Sequence, residues 1–165
     1  MAAITALLQE LEHEAQTTKR VLERVPNDQL AWKPHPKSMS LGQLALHVAT
    51  VPGMVATIAA QPEVEAPQFT QPSATSSAEL VPALDASVAR AKELLGGMDD
   101  GALGATWRLK RGDREVLAIP RGAFLRSIML NHWYHHRGQL SVYLRQLNVP
   151  LPSIYGPSAD ENPFA

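Results

Sequence analysis

The sequence predicts an all-α fold: a four-helix bundle with long crossover connections and a short β-hairpin between helices three and four. Three observations predict it. Apolar residues recur at spacings of three and four in four separate segments, the period of helices that bury one face. Stretches rich in proline or glycine separate those segments. Between residues 107 and 119 the period changes to two, which belongs to strands. At 165 residues the chain fits one domain, 1–165, long enough to need no disulfide or metal merely to fold.

The first helix spans residues 3–25, where Ile4, Leu7, Leu8, Leu11, Ala15, Leu22 and Val25 form the stripe and Pro26 ends it. Residues 26–39 hold three prolines and make a loop long enough for a task of its own. The second helix starts at Ser40. Ser40 and Gln43 form an S-x-x-Q capping box, each side chain satisfying a backbone donor of the first turn. Its stripe is Leu41, Leu44, Val48, Val51, Val55 and Ile58, and Pro52-Gly53 inside it predicts a kink or break.

Residues 61–75, rich in Pro, Gln, Ser and Thr, read as a surface crossover. The third helix opens near Ser76, with Glu79 completing a second capping box, and runs to Leu95 before Gly96-Gly97. Trp107 and Leu109 alternate with Arg108 and Lys110, Arg111-Gly112-Asp113-Arg114 turns the chain, and residues 116–119 complete the hairpin. Pro120 suits the first position of the fourth helix, about 121–147, which Asn148, Pro150 and Pro152 end.

Composition narrows the function. Hydrophobic residues at 45 % and charged residues at 19 % exclude wholesale disorder. Fifteen Lys plus Arg against 16 Asp plus Glu leave a net charge of -1, which argues against nucleic acid as a partner and against a polybasic membrane anchor. With no cysteine, the chain has no disulfide, thiolate metal site or Cys nucleophile of its own. Residues 1–12 lack the basic start of a secretory signal, and no apolar run reaches membrane-spanning length. The expected compartment is the cytoplasm.

The six histidines are not equivalent. On a uniform α-helix, Leu125, Met129, Leu140, Tyr143 and Leu147 define the apolar face of helix four, with His132 and His136 in its middle and His135 at its edge. An i, i+4 imidazole pair can reach one metal ion. His47, on the flank of helix two, could complete a three-His site with an open position, as in catalytic zinc. Hydrogen-bonded core histidines are the competing reading of the same spacing. His13 lies on a charged helix face and His35 between prolines in a loop.

The segments SMSLGQLALHVATVPG and NHWYHHRGQLSVYLRQLNVPLPSIYGPSADE resemble the two signature regions of the DinB/YfiT-like superfamily of metal-dependent proteins. The resemblance implies a divalent metal, zinc or nickel, held by His47, His132 and His136, with His135 as a neighbour only. It also implies long crossovers, frequent homodimers, and activities that include thiol-dependent S-transfer and hydrolysis. Leu130 and Val142, outside the central stripe of helix four, add to the homodimer expectation.

Three neutral imidazoles leave a metal its full positive charge, so it can acidify a water or a thiol. The reading is therefore a metal-dependent S-transferase or hydrolase acting on a small molecule, with a low-molecular-weight thiol as a candidate co-substrate. A non-catalytic metal module, a sensor or store, and a structural helical dimer are the alternatives. Metal binding should fade on acidification, as imidazoles of ordinary pKa near ~6.5 take protons instead. Arg137, beside a candidate ligand, either contacts substrate or makes a structural ion pair. Glu12, Glu14, Asp160 and Glu161 read as solvated carboxylates, so no general base stands out. Arg108, Lys110, Arg111 and Arg114 either steer an anion or protect a strand edge, and Trp107 and Trp133 read as packing.

Overall fold

The computed structural model describes residues 3–66, 68 and 70–164. Met1 and Ala2, Pro67 and Phe69 of the expected crossover, and Ala165 lie outside the described residues. The molecule is mainly helical with a small sheet of three strands among the described residues. Helix α1 (Ala3–Leu22) buries Ile4, Leu7, Leu11, Ala15 and Leu22, and places Lys19 and Arg20 in its last turn, where cations favour the carbonyl end.

Helix α2 (Leu41–Ala59) starts on the expected capping box. Ser40 Oγ accepts from the Gln43 amide at 3.2 Å, and Gln43 Oε1 accepts from the Ser40 amide at 2.9 Å. Pro52 does not break it. The proline has no N–H for the Val48 carbonyl, and the Trp133 indole N–H supplies the missing donor at 2.7 Å. The next amide, Gly53, donates to Ser87 Oγ at 2.7 Å, and that hydroxyl donates to the Thr50 carbonyl at 3.0 Å. A Cβ on residue 53 would lie 2.8 Å from the Ser87 carbonyl oxygen, so glycine permits this approach. Side chains from neighbouring helices thus satisfy the interrupted ladder.

Against the expectation that no apolar run reaches membrane-spanning length, helix α2, alone among the described residues, is long and apolar enough to cross a membrane. Most of α2 is buried inside the fold. Helix α3 (Leu80–Leu95) packs against it through Leu80, Leu84, Ser87, Ala91 and Leu95. A 3-10 turn capped by Ser76 and Glu79 precedes α3. Short helix α4 (Asp100–Gly104) then leads into the sheet, and Asp99 Oδ1 caps it by accepting from the Ala102 amide at 2.7 Å.

Strands β2 (Thr106–Arg111) and β3 (Arg114–Pro120) form the expected hairpin, with Gly112 at φ +58 in its turn. The crossover after α2 adds strand β1 (Glu63–Glu65), which pairs parallel to β2. Trp107 anchors the hairpin, stacked on Phe124 at 3.9 Å and donating to the Ile58 carbonyl at 3.2 Å. Arg121 closes the same end of α2 by donating to the Ala59 carbonyl at 2.8 Å.

The fourth predicted helix is not uniform. It comprises α5 (Arg121–Phe124), a π-helical stretch (Leu125–Asn131) and α6 (His132–Gln146). Bonds that close on the fifth residue instead of the fourth delay the helix phase. The buried face therefore moves on by one residue, to Trp133, Arg137, Leu140 and Leu144, and His132 and His136 stand at its flank instead of its centre. Asn148, at φ 59, ends the helix in the left-handed conformation that Asn tolerates. Leu130 lies in the core, whereas Val142 is 55 % exposed.

Candidate metal centre

His47 projects from the half-buried flank of α2, one residue before core Val48. His132 is the first residue of α6, directly after the π-helical stretch, and His136 follows one turn later. The ligand nitrogens of the three rings all lie within 4.8 Å of one another. His47 Nε2 and His132 Nε2 are 3.1 Å apart. Tetrahedral ligands about 2.0–2.1 Å from zinc stand about 3.3 Å from each other, so this spacing suits a shared ion. The rings meet edge to face, with interplanar angles of 82 to 89°.

Two bare lone pairs at 3.1 Å repel, so these nitrogens share either a proton or a cation. Burial lowers the pKa of His47 from its ordinary 6.5 to about 4, and the charges of His136 and His132 add to the shift. Burial also lowers His132, with a contribution from His135. His136 is lowered by burial too, against an opposing hydrogen bond to Gln139 Oε1. All three rings are therefore neutral near pH 7, the form that ligates metal. His136 Nδ1 lies 2.7 Å from Gln139 Oε1. A proton on Nδ1 satisfies that oxygen and leaves the Nε2 lone pair free.

The remaining candidates fall outside the trio. His135 is exposed, its ring 5.0 Å from that of His136, and His13 and His35 are exposed elsewhere. Of the two roles open to Arg137, the structure places it in an ion pair. Its guanidinium is 1 % exposed and 2.6 Å from the Glu14 carboxylate, itself 8 % exposed. Glu14 is thus no solvated acid. Thr18 Oγ1 accepts from Arg137 at 3.1 Å, and the Tyr155 hydroxyl bridges Arg137 and Glu14 at 2.5 and 3.0 Å. Arg20 with Glu161, and Arg145 with Asp160, pin the same C-terminal tail.

The hairpin cations lie at the far end of α2 from His47. Ala59 lies twelve helical steps beyond His47, about 18 Å at 1.5 Å per residue. Arg108 and Lys110 are paired with Glu115 and Glu63. Sequence reasoning missed Gln139 and the Val48 carbonyl, and misread Glu14 as a solvated acid. Gln139, three residues after His136, carried a usable signal, since i and i+3 share a face.

A family model for the DinB family matches residues 1–162. The chain belongs to the DinB family. An uncharacterized protein, YrdA, of Bacillus subtilis (strain 168) is 28 % identical over 155 residues, which cover 93 % of this chain and 89 % of that protein. The crystal structure of a DinB-like protein from Bacillus cereus ATCC 10987 superposes with a TM-score of 0.69 at 24 % identity, covering 90 % of this chain and 95 % of that one. A second DinB-like crystal structure, YjoA of Bacillus subtilis, gives a TM-score of 0.68 at 19 % identity over 90 % and 96 % of the chains. These likenesses establish the fold. In this DinB-family chain the sequence-selected histidines form a cluster that could hold a metal ion.

Proposed function

We propose that this DinB-family protein is a metal-dependent enzyme, an S-transferase or hydrolase acting on a small molecule, with zinc or nickel held by His47, His132 and His136. One observation carries the reading: three nitrogens from two helices, all on rings kept neutral by burial, lie within 4.8 Å of one another. When bound, the metal supplies Lewis acidity toward a thiol or a water molecule. The chain supplies the rest. Neutral ligands leave the ion's charge undiminished, and Gln139 orients one of them. Trp133 holds α6 on α2 so that the rings converge.

The absence of cysteine fits a thiol brought in by a co-substrate. The four-helix bundle and a homodimer complete the proposal. A dimer would cover exposed Val142 and Ile128 of the last helical segment, and sedimentation as a monomer at micromolar concentration would reject it.

Metal analysis of the purified protein, followed by turnover assays with low-molecular-weight thiols and with ester and amide probes, tests the function. Stoichiometric metal that His47→Ala removes, with metal-dependent turnover of one probe class, supports it. No metal uptake overturns the site. Metal without turnover of either class makes the protein a sensor or store.

A further inference from the structure

A cleft of about 440 Å³ opens beside His136, a volume that suits a small molecule. One wall is α6, which contributes His136, its partner Gln139, and Tyr143. The opposite wall is the proline-rich loop before α2, which contributes Lys33 and Lys37.

That loop is held in place. Leu30 and Trp32 accept backbone bonds from Gly42 and Leu41, each at 2.9 Å, and the Ser38 amide donates to His35 O at 2.9 Å. The Trp32 ring meets Tyr143 edge to face at 5.5 Å, and Pro34 and Pro36 fix two backbone angles. The backbone that carries the two lysines is therefore fixed, while their side chains are exposed.

Charge supports this cleft, although Arg24, Arg111, Arg114 and Arg121 share with its two lysines the lack of a carboxylate partner among the described residues. Most Lys and Arg side chains of the molecule pair with a carboxylate, among them Lys19, Arg20, Lys92, Lys110 and Arg126. Lys33 and Lys37 have no such partner among the described residues, and no Asp or Glu lines the cleft. On a protein of net charge -1, two uncompensated cations face a wall that ends in a candidate metal ligand.

We propose that this cleft is the substrate site, and that it takes a small molecule carrying a carboxylate or phosphate group. Lys33 and Lys37 bind the anionic group, and the rest of the molecule lies along α6 toward His136. The placement of the reacting end rests on the metal-centre reading above. The recognition of the anion does not. A lysine ammonium acts as a point charge without the planar fork of arginine, so both anion types fit it.

The test is amide NMR titration of metal-free and zinc-loaded protein with succinate, inorganic phosphate and neutral succinamide. Succinate or phosphate should shift resonances of residues 33–39 and Gln139 in the metal-free protein, and the stronger of the two names the anion class. Succinamide should not. Rising salt should weaken the anion's binding. A double variant, Lys33→Gln with Lys37→Gln, should bind the anion at least tenfold more weakly, with zinc affinity changed less than twofold. Arg111→Gln with Arg114→Gln, remote on the hairpin, should leave anion affinity unchanged. Unshifted cleft resonances, or equal anion affinity in the lysine double variant, overturn the cleft assignment whatever the zinc result. Zinc failing to bind wild type overturns the metal reading while leaving the anion result to stand on its own.

Discussion

The Trp133 indole donates to the Val48 carbonyl at 2.7 Å, the acceptor that Pro52 leaves without its helical partner. Val48 follows His47 and Trp133 follows His132, so one bond fixes the register of two candidate ligands on different helices. Without the proline, the carbonyl would bond within α2. A residue that interrupts one helix therefore creates the docking point for another.

Trp133→Phe should keep most of the buried apolar contact and lose the donor. An unsatisfied buried carbonyl costs about 1–3 kcal/mol, and the missing ring atoms add to that. Zinc affinity should fall as well, because the distance between His47 and His132 is no longer fixed. Denaturant midpoints and zinc titrations check both effects. Unchanged zinc affinity in a destabilised variant would reduce the bond to a packing role.

Sequence pattern revealed most of the elements because their causes are local. The capping boxes at Ser40 and Ser76 and the hairpin at Gly112 were legible within a few residues. The three histidines were legible too, from facing, spacing and family resemblance. The π-helical stretch was not. Its phase delay put Trp133 and Arg137, not His132 and His136, at the buried centre. The partners of Pro52 and Gly53 stayed hidden for a different reason, since Trp133 and Ser87 lie 85 and 34 residues from the groups they satisfy. Glu14 and Arg137 likewise meet only in the folded chain.

Arg137→Ala should destabilise the protein strongly. Removing one partner of a buried pair leaves the other charge uncompensated, at a cost of about 3–5 kcal/mol. Glu14 would be that charge. Arg137→Met combined with Glu14→Leu removes both charges and should recover most of the loss in thermal or denaturant unfolding. A substrate-contact role predicts instead a raised KM with little change in melting temperature.

Acid should weaken the metal-free fold between pH 6.5 and about 4. His47 titrates at about 4 in the folded protein against an ordinary 6.5, so within that window the unfolded chain binds more protons. Stability therefore falls as pH falls through the window and is flat above it on this account. The same burial alters the expected acid loss of metal. Protons compete for the three rings only below their lowered pKa values, so zinc should remain bound below pH 6.5. Zinc titrations across pH 4.5–7.5 check this, and an apparent affinity that is already falling at pH 6.5 would show that burial does not lower the pKa of the rings.

Thermal melting with metal reads the site directly. An ion that binds only the folded state adds about 2.7 kcal/mol at a hundredfold excess over Kd. For a protein of this size that corresponds to a rise of roughly 5–10 °C. His136→Ala should abolish most of the rise, whereas His135→Ala should keep it, because His135 lies outside the ligand cluster. Gln139→Ala should fall between them, losing about 10–100-fold in metal affinity as an orienting partner is removed. With chelator the wild type should stay folded, because its core of Leu, Val, Ala and Trp side chains is built without the ion. Melts with zinc, with nickel and with chelator at pH 7.5 separate these outcomes. Equal loss of the rise in the His135 and His136 variants would show that the ligand is assigned to the wrong ring. No rise in wild type with either metal would return the three imidazoles to a proton-sharing cluster held together by burial alone.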